Sequence, residues 1–357
     1  MQALLRPVDL GALRLRNRII MAPMTRNRAL AGDVPGALAV EYYGARASAG
    51  LIVTEGTQPS VHGKGYCRTP GMHSAAQVAA WRAVTEAVHG AGGCIVLQLM
   101  HCGRIGSHHN KDPGARTLAP SALRAAGKIF TDAVGPVEFD TPEELTLPEV
   151  QAVIAEYAAA AHQAQRAGFD GIELHAASGY LPMQFLSSGT NLRRDTYGAT
   201  LGGRLRFVIE CVEALSAVFG SERVGVRICP GNPFNDMHDA QPLDTYAALL
   251  GALNPLRLAY LHVIRSPDPA LDAFALAREC FDGARIFNDG FDLASGSDAV
   301  TSGGAAAVSF ARAFIANPDL VERALNGWPL AAFDRKTLYT RGAAGYTSYP
   351  RYTRAPR

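Results

Sequence analysis

Phe169-Asp-Gly-Ile-Glu-Leu-His-Ala-Ala-Ser-Gly-Tyr180 is the stretch on which the fold turns. Its first half reads as a short buried strand. His175 and then Tyr180 stand at the strand's carboxyl end. A donor pair at the top of a parallel strand is where barrel enzymes place their chemistry. His175 can donate to a carbonyl, and Tyr180 can deliver a proton. The chain runs on through Leu-Pro-Met-Gln-Phe-Leu-Ser-Ser-Gly-Thr-Asn-Leu-Arg-Arg-Asp-Thr-Tyr197. That polar run with its glycine lacks an apolar period and looks arranged around a ligand.

The pattern recurs on both sides. Candidate strands are Arg18–Ala22, Leu51–Thr57, Cys94–Leu99, Gly171–His175, Val224–Cys229, Tyr260–Ile264, Arg285–Phe287 and Ala306–Phe310. Candidate helices between them include Val40–Ala49, Gln77–Gly90, Pro148–Ala167, Leu201–Phe219, Thr245–Ala252 and Leu320–Asn326. Eight strands alternating with helices argue for an α/β fold, a single (β/α)8 TIM barrel. Periodicity alone leaves an open doubly wound sheet standing. Val8-Asp-Leu-Gly-Ala-Leu-Arg-Leu15 has a short hairpin pattern suited to plugging the barrel bottom. Segments 101–142 and 230–241 are long and irregular and follow predicted strands. Such loops are usually functional and would lie over the catalytic face.

The 357 residues suit one such barrel. With no linker, repeat or low-complexity tract, residues 1–357 read as one domain. Its core covers about 3–350, and a basic tail, Arg351–Arg357, reads as a solvated end. Apolar residues make up 48% and charged residues 18%, and the formal charge is +2. No basic run with interleaved aromatics suggests nucleic acid. No apolar stretch approaches ~20 residues, so no membrane span is expected. The N-terminus lacks a signal-peptide pattern. Six scattered cysteines without C-x-x-C read as reduced structural thiols in a cytoplasmic protein.

Polar residues punctuate the other strand ends. Met21-Ala-Pro-Met-Thr-Arg26 closes the first; alone it could be a strand end with Thr25 capping a turn. Glu55-Gly56-Thr57 closes the second, where Gly56 admits close backbone approach. Gln98-Leu-Met-His-Cys-Gly-Arg104 closes the third, and Gln98 offers both a donor and an acceptor. His101 and Arg104 are plausible supports. Arg227, inside the apolar strand Gly225-Val-Arg-Ile-Cys, needs a partner. That partner could be a ring that gains negative charge, or a carboxylate such as Glu173. Ile286-Phe-Asn-Asp-Gly-Phe291 and Val308-Ser-Phe-Ala-Arg312 close the last two strands, where barrels commonly hold phosphate. His101, His108, His109 and His175 could be read as a metal set, but no obvious carboxylates orient them.

These segments, matched in order after nearly every strand over residues 3–350, resemble the Old Yellow Enzyme family, the FMN-dependent ene-reductases. The resemblance implies that Pro23, Met24 and Thr25 approach the flavin, with Thr25 near its C4 carbonyl. It implies that Gly56 and Gln98 meet the ring and that Arg227 faces flavin N1 and O2. Asp289, Gly290, Ala311 and Arg312 would hold the phosphate. His175, Ser178, Tyr180, Met100, Thr25 and Tyr346 would surround the substrate, with Tyr346 of Gly345-Tyr-Thr-Ser-Tyr-Pro350 folded over the cleft.

The chain departs from the family pattern at four points. Met100 stands where Trp is frequent, Ser178 replaces Asn or His, Ala311 replaces Gly, and Ser348 replaces Asp. The implied reaction is reduction of activated C=C bonds of α,β-unsaturated carbonyl or nitro compounds with NAD(P)H. Flavin N5 would give hydride to the β carbon and Tyr180 would protonate the α carbon. The small-molecule substrate would be polarised by His175; no metal, nucleic-acid or membrane partner is expected. Alternatives are nitroester reduction or redox isomerisation on the same scaffold, a flavin-binding redox sensor, and a metal-dependent barrel hydrolase or lyase.

Overall fold

The computed structural model describes residues 1–353. Eight strands close a barrel, each parallel to the next. They are β1 Ile19–Met21, β2 Leu51–Val53, β3 Ile95–Leu99, β4 Gly171–Ala176, β5 Val224–Ile228, β6 Tyr260–Ile264, β7 Arg285–Asn288 and β8 Ala307–Phe310. β8 returns to β1 through Val308 opposite Ile19, which excludes the open sheet. Strands covered on both faces need near-continuous apolar runs, and these supply them.

A helix follows each strand: α1 Ala37–Gly44, α2 Ala75–Gly90, α3 Leu147–Arg166, α4 Leu201–Phe219, α5 Pro242–Leu253, α6 Ala273–Cys280, α7 Leu293–Thr301 and α8 Leu320–Asn326. Capping boxes start three of them, at Ser74 with Gln77, Thr146 with Glu149 and Asp292 with Ser295. α6 and α7 were not among the candidate helices. α7 is built around Ser295-Gly-Ser-Asp298, residues of weak helix preference that mask its period. β2 ends at Val53, short of the expected Thr57, which instead makes a lone bridge to Leu99.

Val8–Leu10 pairs antiparallel with Leu13–Leu15 as the sequence suggests. Leu10, Leu13 and Leu15 pack on Ile20, Leu51 and Val96, closing the barrel bottom. Gly11, at φ +57, is required there, because a Cβ would run into the carbonyl oxygen of Glu222. At the other end, segment 101–142 is not structureless. Lys128–Thr131 and Gly135–Glu138 form an antiparallel hairpin over the barrel mouth. Its pattern misleads because the apolar Phe130 is exposed while its neighbour Ile129 is buried, and both line the cavity.

The tail is not wholly solvated. Arg351 pairs with Glu322, and Tyr352 stacks on Trp328 with its N–H donating to Asp319. Residues 354–357, the rest of the predicted basic tail, lie outside the described residues.

Candidate active site at the carboxyl end of the barrel

The buried strand positions are mostly apolar, with the polar ones gathered toward the carboxyl ends. Gln98 of β3, Glu173 and His175 of β4, Arg227 of β5, His262 of β6, Asn288 of β7 and Ser309 of β8 are all buried. Strand register sets His175 beside Arg227 and Arg227 beside His262. Buried polar groups require partners, and these find them in one another. Glu173 accepts from Gln98 Nε2 at 2.8 Å and lies 2.8 Å from His262 Nδ1. Arg227 Nη2 donates to Asn288 at 2.6 Å, while Nη1 lies 2.5 Å from His262 Nε2. The carboxylate alternative for Arg227 holds only indirectly: Glu173 reaches it through His262.

Above this layer opens a cavity of about 910 Å³. Pro23, Thr25, Gly56, Gln98, Met100 and Arg227 line it. So do His175, Ser178 and Tyr180, following β4. Ser178 (φ +57) and Gly179 (φ +76) form the tight turn that carries Tyr180 to the N-cap of the short helix Leu181–Leu186. The turn brings the His175 and Tyr180 rings within 4.9 Å. His175 is held neutral, its pKa pushed down to about 3 by burial and by the neighbouring Arg227. Its Nδ1 is buried without a partner. Burial raises the Tyr180 hydroxyl well above its ordinary range, so it stays protonated as a donor. Ser178 is anchored through its backbone, to Cys229 Sγ and Asn235. Gly56 is needed for a reason beyond ligand approach, since a Cβ would collide with Met100.

Several expected positions lie elsewhere. Tyr346 does not fold over the cleft. It is buried against Tyr42, stacked at 4.0 Å, with the Arg26 and Arg28 guanidinium groups over its ring. Tyr339, seven residues earlier, lines the cavity instead. Tyr346 lies within the Gly345–Pro350 motif, whereas Tyr339 stands just before it in irregular chain. The Met24 side chain packs on the core and is not part of the lining. Asp289, Gly290, Ala311 and Arg312 come together at the ends of β7 and β8 but outside that lining. There Arg312 donates to Asp289 at 2.8 Å on the exposed rim.

The sequence reading also missed Tyr66, whose hydroxyl lies 3.1 Å from that of Tyr180 on the cavity wall. It missed His262, although a histidine inside the apolar strand Tyr260-Leu-His-Val-Ile264 carries the same signal that singled out Arg227. Arg104 acts as the expected support, donating to the Asn235 and Asp236 carbonyls and tying down segment 230–241. His101 is fully buried, whereas the exposed His108 stacks on His109 and pairs with Asp140. Among the described residues no three His, Cys, Asp or Glu side chains converge as metal ligands. The six cysteines are unpaired, and no helix is long and apolar enough to cross a membrane.

The donor set fits a flavin. Gln98 and Arg227 line the cavity floor and together offer an amide and a cation, as the pyrimidine edge of an isoalloxazine requires. The His175 ring lines the wall of the same cavity, beside Tyr180.

Comparison with known proteins agrees. The sequence profile of the NADH:flavin oxidoreductase / NADH oxidase family matches residues 3–331. A probable flavin mononucleotide-dependent alkene reductase of Leishmania infantum is 40% identical over 353 residues, covering 97% of each chain. Morphinone reductase in complex with tetrahydroNAD superimposes with a TM-score of 0.94 at 41% identity, over 99% of both chains. The old yellow enzyme homologue from Zymomonas mobilis gives 0.94 at 37% identity, over 98% of this chain and 99% of its own.

Proposed function

The chain belongs to the NADH:flavin oxidoreductase / NADH oxidase family, within its Old Yellow Enzyme branch of flavin-dependent alkene reductases, and we propose that it reduces activated C=C bonds of unsaturated carbonyl or nitro compounds with a nicotinamide reductant. FMN is the cofactor, with residues 1–357 acting as one FMN-binding unit. Gln98, Arg227, Thr25, Pro23 and Gly56 would hold its ring from the cavity floor. Met24, through its backbone, would adjoin them. Arg312, with the backbone of Asp289, Gly290 and Ala311, would hold the phosphate at the rim. Held there, FMN would supply the hydride-transfer chemistry between the nicotinamide and the substrate.

The observation that carries this reading is the pair at the end of β4: a neutral His175 and a protonated Tyr180, their ring centroids 4.9 Å apart, on one cavity wall. His175, with Ser178 beside it, binds the carbonyl or nitro oxygen and draws charge from the double bond. Tyr180 gives its hydroxyl proton to the α carbon. Met100, Thr25 and Tyr339 bound the space around the substrate.

The test is rapid mixing of the FMN-loaded protein with NAD(P)H and, separately, with an enone. Tyr180→Phe should slow the enone step by roughly 10²–10⁴-fold, the worth of general acid catalysis, and leave the nicotinamide step nearly unchanged. Equal slowing of both steps would remove Tyr180 from the proton-donor role. A protein that takes up no FMN would end the reading altogether.

A further inference from the structure

Glu173 touches no cavity, yet its two oxygens are held by two groups that reach the cavity floor. Oε1 accepts from Gln98 Nε2, and Oε2 lies 2.8 Å from His262 Nδ1. Gln98 lines the cavity, while His262 meets the cavity-lining Arg227. Burial pushes the Glu173 carboxyl up, but His262, Arg227 and Gln98 outweigh it and hold the group ionised.

An ionised carboxylate can only accept. The Gln98 nitrogen must therefore face Glu173. His262 must carry its proton on Nδ1, leaving the single lone pair of Nε2 to accept from Arg227 Nη1, with Ser309 Oγ 2.7 Å from the same nitrogen. Burial and the nearby Arg227 keep His262 neutral, its pKa near 4.

We infer that Glu173 is a positioning residue that sets the polarity of the cofactor-facing floor. It fixes the amide orientation of Gln98, and through His262 it holds the Arg227 guanidinium. It also supplies the buried negative charge that offsets Arg227. This inference rests on the FMN reading above. A charge so placed opposes the negative charge that a flavin gains on reduction, so Glu173 lowers the reduction potential of bound FMN.

The experiment measures the midpoint potential of FMN on the wild-type holoenzyme, on Glu173→Gln and on Glu173→Asp. Glu173→Gln keeps the shape, removes the charge and lets the amide donate. It should favour binding of reduced over oxidised FMN at least ~10-fold, moving the two-electron potential positive by about 30 mV or more. Glu173→Asp keeps the charge and should shift it less. Equal potentials in wild type and Glu173→Gln, with or without lower thermal stability, overturn the inference and leave the FMN reading intact. Wild type that binds no FMN removes the reading instead. If Glu173→Gln does not fold, ¹⁵N spectra of the histidine-labelled wild-type holoenzyme decide. One neutral ring protonated at Nδ1, absent from a His262→Asn sample and unchanged between about pH 5.5 and 8.5, is expected from the pKa near 4. A His262 that is protonated at Nε2, or that titrates in that range, overturns it.

Discussion

At the scale of single residues, Ser178 shows what a departure from family pattern costs. Its φ of +57 is left-handed, a region that Asn tolerates better than most side chains. Its hydroxyl makes no hydrogen bond among the described residues, so the position could accept a longer donor. Ser178→Asn should tighten binding of a small phenol, by up to the ~1.5–3 kcal/mol typical of a hydrogen bond to a charged oxygen. His175→Ala should weaken it more than Ser178→Ala does. Titration of the flavin spectrum with the phenol reads both effects, and an unchanged or raised dissociation constant for Ser178→Asn would mean the pocket compensates elsewhere. Glu55 behaves differently. Its carboxylate is fully buried beside Tyr43 and the Arg26 N–H, and burial raises its pKa from 4.5 to about 7. Between those values the folded chain holds a proton that the unfolded chain has lost. Stability therefore falls as pH rises from about 4.5 to 7, by roughly 3 kcal/mol from this group. Urea unfolding should show Glu55→Gln gaining on wild type at pH 8 relative to pH 5; a difference independent of pH would refute it. Residues such as His175, Tyr180 and Arg227 were legible because a polar group in or just after an apolar strand is conspicuous. Tyr66 and Tyr339 were not, because they sit in irregular chain whose course only tertiary packing decides.

The long helices and the apolar strands were the most legible elements. The sixteen-residue α2, the twenty-residue α3 and the nineteen-residue α4 display a helical period, and the eight barrel strands are near-continuous apolar runs. The mouth hairpin and the C-terminal strap 337–345 were not. The strap is held by backbone carbonyls, which leave no side-chain signature. Arg28 donates to the Thr337, Leu338, Gly342 and Ala344 carbonyls at 2.8 to 3.1 Å, and Arg26 donates to Gly345 at 2.6 Å. The strap in turn carries Tyr339, Thr340 and Arg341 onto the cavity wall. Arg28→Met should therefore free the wall without opening the barrel. Each buried acceptor left unpaired costs about 1–3 kcal/mol, so strap opening should rise at least ~10-fold. Limited proteolysis should cut within 335–341 faster in the variant while the barrel fragment survives. Equal cutting rates would show that Tyr346 stacking and Arg26 suffice.

Over the whole molecule charge is nearly balanced, at +2, yet the cavity mouth is not. Arg68, Lys128, Arg335, Lys336 and Arg341 line it against a single carboxylate, Asp132, which pairs with Arg68 and Arg341. Lys128, Arg335 and Lys336 have no ion-pair partner among the described residues. The bland reading of exposed cations is a solvated rim, and static pairs at such exposure contribute little. Their placement around one opening gives them another effect. A cleft lined by one sign of charge concentrates the opposite charge and speeds encounter by ~10–10³-fold at low salt. A nicotinamide dinucleotide brings a pyrophosphate, and its 2′-phosphorylated form brings more negative charge. The second-order rate of flavin reduction by NADPH should therefore fall several-fold between about 0.02 and 0.3 M salt, as the screening length shrinks below the width of the mouth. NADH should fall less steeply, and an uncharged enone should be indifferent. Arg335→Glu with Lys336→Glu should flatten the NADPH dependence while leaving the enone step unchanged, because an uncharged substrate does not feel the charge at the mouth. Salt curves that coincide for NADPH, NADH and the enone would return these cations to the solvated rim.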